Sequence, residues 1–337
     1  MGKLRCAGGM GALAVLLSGC SQWQSALHPQ GGGARAILGL IWLFTAVSVV
    51  VWVLVVMALA MAVLHRRRGR QTGEPLAVDR RREQNFFRVV ATAVAVTIAV
   101  LIGLTFASFL TGKSNAALNG EAFTIHLTGH QWWWEARYQL DGQSDIVTAN
   151  EIHLPVDLPI RVELESADVI HSFWVPSLAG KRDLIPGRPS AITLLVEKAG
   201  TYRGQCAEFC GYQHAHMAMT VVAESRSAFD AWVARQRLDA VPPKEDEARR
   251  GQAAFLGTGC ALCHRIRGTP AVGAVGPDLT HLASRGSLAA DTLPLTRGAL
   301  AAWIADPQSI KPGAKMPSID LSADDLNAVV AYLEGLQ

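Results

Sequence analysis

Hydrophobic and polar positions follow one another along this chain in distinct regimes, and each regime predicts a different element. A short basic start, Met1-Gly-Lys-Leu-Arg5, runs into the apolar stretch Met10–Leu17. From Ala36 to Leu64, and again from Phe87 to Leu110, almost every residue is apolar. Each run exceeds the roughly 20 residues that cross a bilayer as a helix, so two membrane helices are predicted, over about 36–64 and 87–110. Between Ala122 and Ala223 the pattern changes to short alternating runs, such as Phe123-Thr-Ile-His-Leu-Thr128, Ile160-Arg-Val-Glu-Leu-Glu165 and Ala191-Ile-Thr-Leu-Leu-Val196, punctuated by Pro and Gly. Alternation sends successive side chains to opposite faces, which predicts a β-sandwich or barrel. Phe229, Trp232 and Val233 at helical spacing predict a short amphipathic helix closing that domain within 225–240. Val241-Pro-Pro-Lys-Glu245 reads as an extended spacer. Beyond it, Glu247–Phe255 and the acidic-started Asp324–Gly335 read as helices.

A chain of 337 residues is too long for one ordinary core, and its 50% hydrophobic content is raised by the apolar runs. The expected division is a leader over 1–20, a lead-in with two membrane helices over 21–115, a sandwich with its closing helix over 116–240, a linker over 241–245 and a second module over 246–337. The net charge of +3 is small. Basic residues gather in His65-Arg-Arg-Arg-Gly-Arg70 and Arg80-Arg-Arg82 instead of forming a nucleic-acid face, so no nucleic-acid partner is implied. That loop belongs in the cytoplasm by the positive-inside bias, with both ends of the chain on the outer face. A buried hairpin of a soluble protein is the bland alternative. The leader has the form of an export signal, and Gln30-Gly-Gly-Gly33 reads as a flexible lead-in.

The most informative stretch is Cys206-Ala-Glu-Phe-Cys-Gly-Tyr-Gln-His-Ala-His-Met217. Two thiols, an imidazole and a thioether recur at C-x3-C-x3-H-x2-M, a soft to borderline donor set that suits copper better than magnesium or calcium. A zinc loop and a disulfide are the alternatives, although Met is a poor zinc ligand and a common axial ligand of copper. Thiolates four positions apart can each bridge a pair of metal ions, the arrangement of binuclear copper A.

Cys260-Ala-Leu-Cys263-His264 is C-x-x-C-H, in which two thioether bonds fix a c-type haem and the histidine supplies an axial ligand. Met316, in Gly313-Ala-Lys-Met-Pro317, suits the sixth position, with His281 as the competing candidate. A His/Met pair raises the haem potential relative to bis-His ligation. Three consecutive tryptophans, Trp132-Trp-Trp134, cannot all face one core from a strand, so at least one is expected at the surface or an interface. His126, His130 and His153 lack ligand spacing.

The copper loop, together with Asp168-Val-Ile-His171-Ser-Phe-Trp-Val-Pro-Ser177, Asp183-Leu-Ile-Pro-Gly-Arg188 and Gly129-His-Gln-Trp132, closely resembles subunit II of cytochrome c oxidase. The likeness runs from about residue 35 to 225. It implies an all-β cupredoxin-like sandwich in a multidomain membrane protein. It also implies a ligand set of His171, Cys206, Cys210, His214 and Met217, completed by the Glu208 backbone carbonyl. The Glu208 side chain would face a magnesium ion shared with subunit I, and Trp132 would be the gateway for electrons. Glu83 precedes an aromatic by three positions, as at the mouth of a proton path in many such subunits, but Phe86 stands where Trp is usual. An ordinary helix-start carboxylate is equally consistent. Residues from about 246 to 337 resemble an all-α class I cytochrome c, with first and last helices packed together. Leu17-Ser-Gly-Cys20 resembles a bacterial lipobox, which would place cleavage and a diacylglyceryl group at Cys20, and an incidental cysteine is the alternative.

The resemblance implies subunit II of a bacterial cytochrome c oxidase carrying its own haem c. It would be anchored in the cytoplasmic membrane with its redox domains outside and partnered by subunit I, by subunit III and by an external cytochrome c or other donor. A copper-A nitric oxide reductase subunit and a membrane-tethered copper-delivery protein are the rivals. The second needs neither a bridged copper pair nor a second redox centre.

Overall fold

The computed structural model describes residues 24–68, 80–116, 122–140 and 143–337. The leader, Cys6, the lipobox cysteine Cys20 and most of the basic loop lie outside the described residues. The chain divides into two compact units, Ala36–Ala117 and the remainder.

The first unit is built on helices α1 (Gly32–Arg68) and α2 (Arg80–Ala116). Their spans Gly32–His65 and Arg80–Lys113 are long and apolar enough to cross a membrane. Both helices run beyond the apolar limits expected from the sequence, because backbone hydrogen bonding continues into the polar flanks after the hydrophobic run ends. Hydroxyls on the apolar α2 are satisfied within the helix, Thr97 and Thr105 donating to the carbonyls of Ala93 and Leu101 at 2.9 and 2.8 Å.

In the second unit, ten strands form two five-stranded sheets. One is ordered β3 (Gln143–Ala149), β2 (Trp133–Leu140), β1 (Thr124–His130), β5 (Pro159–Ser166), β8 (Ser190–Leu195). The other is ordered β4 (Glu151–Pro155), β10 (Ala218–Glu224), β9 (Gly200–Cys206), β6 (His171–Trp174), β7 (Arg182–Leu184). Strands β1 and β2 alternate strictly between buried and half-buried positions, as the hydrophobic pattern predicts. Their buried sets, including Ile125, Leu127, Trp134 and Tyr138, fill the space between the sheets with Phe173, Ile152 and Leu164. Helix α3 (Arg226–Gln236) is capped by Ser225 and lays Phe229, Trp232 and Val233 on this core.

The expected flexible lead-in is instead docked on the sandwich. Gln30 donates its N–H to Ser177 O at 2.7 Å and accepts from Glu197 N at 2.9 Å, and Arg35 pairs with Glu197. Gly31 makes this approach possible, since a Cβ there would sit 2.6 Å from Leu178 O and 2.7 Å from Leu195 O.

The C-terminal residues form a helical domain of α4 (Asp246–Gly257), α5 (Cys260–Cys263), α6 (Arg297–Ala305), α7 (Pro307–Ile310) and α8 (Ala323–Glu334), with a small hairpin of β11 (Ser287–Leu288) and β12 (Leu293–Pro294). Its first and last long helices cross at Gly251, where a Cβ would lie 1.9 Å from Ala328 O. Phe255 meets Tyr332 edge to face there, centroids 6.0 Å apart. The residues just before the expected 241–245 spacer are tied to the helical domain. Ala240 N–H donates to Arg267 O at 3.1 Å, and the Arg267 guanidinium donates to Leu238 O at 2.8 Å.

Candidate copper and haem sites

Strand pairing assembles the copper-ligand candidates. Strands β9 and β10 are antiparallel neighbours, so the loop from Cys206 to Met217 closes on itself, with Cys206 N–H donating to Met217 O at 2.8 Å. Strand β6 lies on the other side of β9 and places His171 beneath the loop. Around Cys206 Sγ stand His171 Nδ1 at 3.9 Å, Glu208 O at 3.2 Å and Cys210 Sγ at 3.7 Å. Around Cys210 Sγ stand His214 Nδ1 at 3.6 Å and Met217 Sδ at 3.8 Å. The separation of the sulfurs excludes a disulfide, whose bond is about 2.05 Å.

Backbone shape sets these positions. Gly211 has φ 109°, and a Cβ there would lie 3.2 Å from the Trp132 ring and from Gln131 Nε2, so the loop turns tightly over Trp132. A Cβ on Gly129 would lie 2.9 Å from the His171 ring. Asp168 accepts from His171 Nε2 at 2.9 Å and from Gln131 N at 2.8 Å, which turns Nδ1 toward the thiols. Burial raises the Asp168 carboxyl, but the hydrogen bonds from His171, Gln131, Val169 and Lys315 outweigh it and hold it at about 2. The Cys206 thiol is held far below its ordinary value, first by its hydrogen bond with Cys210, whereas the same pairing and burial push Cys210 up. One thiol ionises readily and the other keeps its proton until a cation compensates the second charge. The convergence of two thiol sulfurs, two imidazoles, a thioether and one carbonyl, with the Asp168 carboxylate bonded to the far nitrogen of His171, fits copper.

The Glu208 side chain points away from this cluster, 44% exposed, with Lys181 Nζ at 3.4 Å. Glu83 lies in the first turn of α2, where a carboxylate complements the helix N-terminus. Trp134 is fully buried in the sandwich and Trp133 stacks on His130 at 4.4 Å. Trp132 is at the junction: its Nε1 donates to Cys210 O at 2.9 Å while its ring lines the cavity of the helical domain.

That cavity is walled by Cys260, Cys263, His264 and Met316. Its apolar lining includes Leu282, Leu300, Trp303 and Ile304. Close backbone packing shapes it, since a Cβ on Gly276 would lie 2.6 Å from the His264 ring and one on Gly273 would lie 2.5 Å from the Cys263 backbone. His264 donates from Nδ1 to Pro277 O at 2.8 Å, leaving Nε2 as the acceptor nitrogen, and burial lowers its pKa. Gln308 Nε2 donates to Ala314 O at 2.7 Å and Met316 O at 2.9 Å, holding the loop that carries Met316. An apolar slot with two thiols and an unprotonated imidazole nitrogen at one wall and a thioether on its lining fits haem c. His281 has no place in it. Its Nδ1 lies 2.8 Å from Gln337 O and its Nε2 3.0 Å from Leu238 O, so it ties the C-terminus down.

Sequence reasoning missed two groups. Asp168 appeared only as part of a family stretch. Lys311 carried no pattern, yet its ammonium donates to Trp132 O at 2.8 Å, His216 O at 2.7 Å and Ala289 O at 2.9 Å.

Comparison with known proteins finds relatives for both domains. Residues 123–225 match the family model described as cytochrome c oxidase subunit II, periplasmic domain, and residues 248–337 match that of cytochrome c. Cytochrome c oxidase subunit 2 of Alkalihalophilus pseudofirmus is 32% identical over 333 residues, covering 96% of this chain and 95% of that protein. The same subunit of Bacillus subtilis is 28% identical over 341 residues, covering 96% of this chain and 95% of that protein. The crystal structure of the periplasmic domain of subunit II of cytochrome oxidase from Bradyrhizobium japonicum is 32% identical, covers 35% of this chain and 95% of that chain, and aligns with a TM-score of 0.33.

Fold and site together define an electron-transfer protein in which a cupredoxin-like sandwich is joined to a c-type cytochrome domain. The chain belongs to the cytochrome c oxidase subunit II family. Membership implies copper A in the sandwich, haem in the helical domain and partnership with subunit I of a haem-copper oxidoreductase.

Proposed function

We propose that this chain is the electron-accepting subunit of a bacterial respiratory cytochrome c oxidase. Electrons pass from cytochrome c or another external donor, by way of the haem site and then the copper site, to haem in subunit I. There oxygen is reduced to water with translocation of protons. The observation that carries this reading is Trp132, hydrogen-bonded to the backbone of Cys210 and lining the haem cavity at the same time.

When bound, haem c and a binuclear copper centre each accept and release one electron at a time. The chain's residues do the rest. Cys206 and Cys210 would hold the copper together with His171, His214, Met217 and the Glu208 carbonyl. Loop backbone bonds and Asp168 hold those donors in place, so little need rearrange between redox states. Cys260 and Cys263 would anchor the haem, and His264 and Met316 would ligate its iron. The Glu208 carboxylate, exposed beside Lys181 and Asp183, would face magnesium at the subunit I surface. Glu83 would serve the mouth of a proton path. The proposed parts are a lipoprotein-type signal over 1–20, the membrane segment over 21–115, the copper domain over 116–240, the linker over 241–245 and the haem domain over 246–337. The two spans cross the cytoplasmic membrane, subunit III joins the complex and both redox domains face the periplasm.

Purified holo-oxidase separates this from the nitric oxide reductase reading by its turnover with oxygen against nitric oxide. Stopped-flow kinetics test the order of the centres. Met316→Ala is expected to slow oxygen uptake while leaving the copper EPR signal intact. Copper reduced at its normal rate in that variant would show electrons bypassing the haem site and would overturn the serial order.

A further inference from the structure

Lys311 is only 3% exposed, and among the described residues no carboxylate pairs with it. Its three N–H donors are all used, on the carbonyls of Trp132, His216 and Ala289. Trp132 and His216 belong to the copper domain, one being the cavity-lining tryptophan and the other lying within the ligand loop. Lys311 and Ala289 belong to the haem domain. A single ammonium therefore ties together the gateway residue, the copper loop and the haem domain. Burial pushes Lys311 down to about 7, with Cys210 opposing the shift only in part.

The segment around Ala289 is unusual in its own right. Ala289, Ala290 and Asp291 have φ of 53°, 59° and 61°, three consecutive non-glycine residues in the left-handed region. Each engages a partner at the domain boundary. Ala289 O accepts from Lys311, Ala290 O accepts from Ala218 N at 3.2 Å, and Asp291 pairs with Arg203 at 2.7 Å. Ala218 directly follows the ligand candidate Met217. On the other side of Lys311, Gln213 Nε2 donates to Pro312 O at 2.8 Å, and a Cβ on Gly313 would lie 3.4 Å from the Trp132 ring. The loop that carries Met316 thus rests on the tryptophan that is bonded to Cys210.

Stability alone does not account for a charge here. An apolar side chain of the same length would fill the space without the desolvation of an ammonium, but it would remove the bonds that orient the Trp132 and His216 carbonyls, while Ala289 O would keep its bond from Thr292 Oγ1 at 2.7 Å. We infer that Lys311 is the positioning residue of an internal electron-transfer junction. It holds the Trp132 indole between the copper loop and the haem pocket, and it keeps that face of the copper domain covered by the chain's own haem domain. This rests on the serial order of the two centres, and it adds that the haem domain acts as a fixed lid over Trp132 and not as a tethered carrier that docks and leaves.

The test uses holo-oxidase with Lys311→Met. Hydrogen–deuterium exchange at the Ala218 amide is expected to rise about tenfold, because a bond held by the pinned turn is released. Flash-initiated transfer from haem to copper is expected to slow by about tenfold or more through misplacement of the indole. The KM for reduced soluble cytochrome c, the haem spectrum and the copper EPR signal should stay unchanged, and that cytochrome should begin to reduce copper directly. Unchanged exchange together with an unchanged internal rate overturns the inference. If the variant does not assemble, Asp291→Asn keeps the lysine and releases only the turn. A fall of about threefold in the internal rate then supports the inference, and an unaltered rate overturns it. In the unmutated protein, copper reduced ahead of haem would instead defeat the serial order, whatever Lys311 does.

Discussion

The indole Nε1 of Trp132 donates to the carbonyl oxygen of Cys210 at 2.9 Å, which joins the first residue of the tryptophan triplet to the backbone of a copper-ligand candidate. The same side chain is 9% exposed and borders the haem cavity. Trp132→Phe keeps an aromatic ring but removes the donor. Haem reduction by an external donor is expected to stay normal while haem reoxidation slows by about tenfold or more, as followed by stopped-flow absorbance.

At the copper loop, Met217 and Cys206 are expected to respond differently. Met217 is fully buried, and Leu conserves its volume, so Met217→Leu should leave the sandwich folded with less than about 1.5 kcal/mol lost. The copper potential should shift and the EPR signal become less symmetric, since a weak axial thioether tunes a site more than it anchors it. Cys206→Ser removes a thiolate central to the cluster and is expected to abolish the mixed-valence signal. Complete loss of copper in the Met217 variant would count against its axial role.

Gly251 sits where the first and last helices of the haem domain cross. Alanine there gains helix propensity of about 1 kcal/mol, but its Cβ would meet the Ala328 carbonyl oxygen at 1.9 Å, against backbone that cannot rotate away. Overpacking wins, and Gly251→Ala is expected to lower the stability of the haem domain by about 2–3 kcal/mol. Thermal unfolding monitored at the haem absorbance measures it.

Acid should loosen the boundary between the two domains through Glu151. Its carboxylate accepts from Gly286 N at 3.1 Å across that boundary, and from His153 at 3.2 Å, itself paired with Glu224 at 2.8 Å. Burial raises the Glu151 carboxyl, but the bonds from His153 and Gly286 and the charges of His153 and Arg285 bring it below its ordinary 4.5. A depressed carboxyl contributes its full stabilisation above the unfolded value and loses it as pH falls through the folded one. The expected window of loss therefore lies below pH 4.5. Hydrogen exchange over residues 283–290 should accelerate there in the unmutated protein and show a flatter pH response in Glu151→Gln.

Much of this architecture is local enough to be legible in the chain. Apolar runs at 36–64 and 87–110 announce helices long enough to cross a bilayer, and alternation in 123–128, 160–165 and 191–196 announces strands because side chains there have a period of two. Cys206, Cys210, His214 and Met217 fall within one short loop, and Cys260, Cys263 and His264 within one turn, so both are legible as ligand motifs, the choice of His214 and Met217 resting on the family resemblance. His171 comes from a separate strand, and only the pairing of β6 with β9 brings its Nδ1 to 3.9 Å from Cys206 Sγ. The tertiary structure also decided what period and motif do not encode. Gln30–Gly33 has the composition of a flexible segment, yet it docks because Gly31 lets the backbone approach Leu178 and Leu195. Val241–Glu245 has the composition of a spacer, and its composition says nothing of the hydrogen bonds from Lys311 to Trp132 O and His216 O that cross between the domains it joins. A lone lysine before Pro-Gly carries no signal, because its partners are carbonyl oxygens, which every residue possesses, and their convergence exists only once both domains have folded.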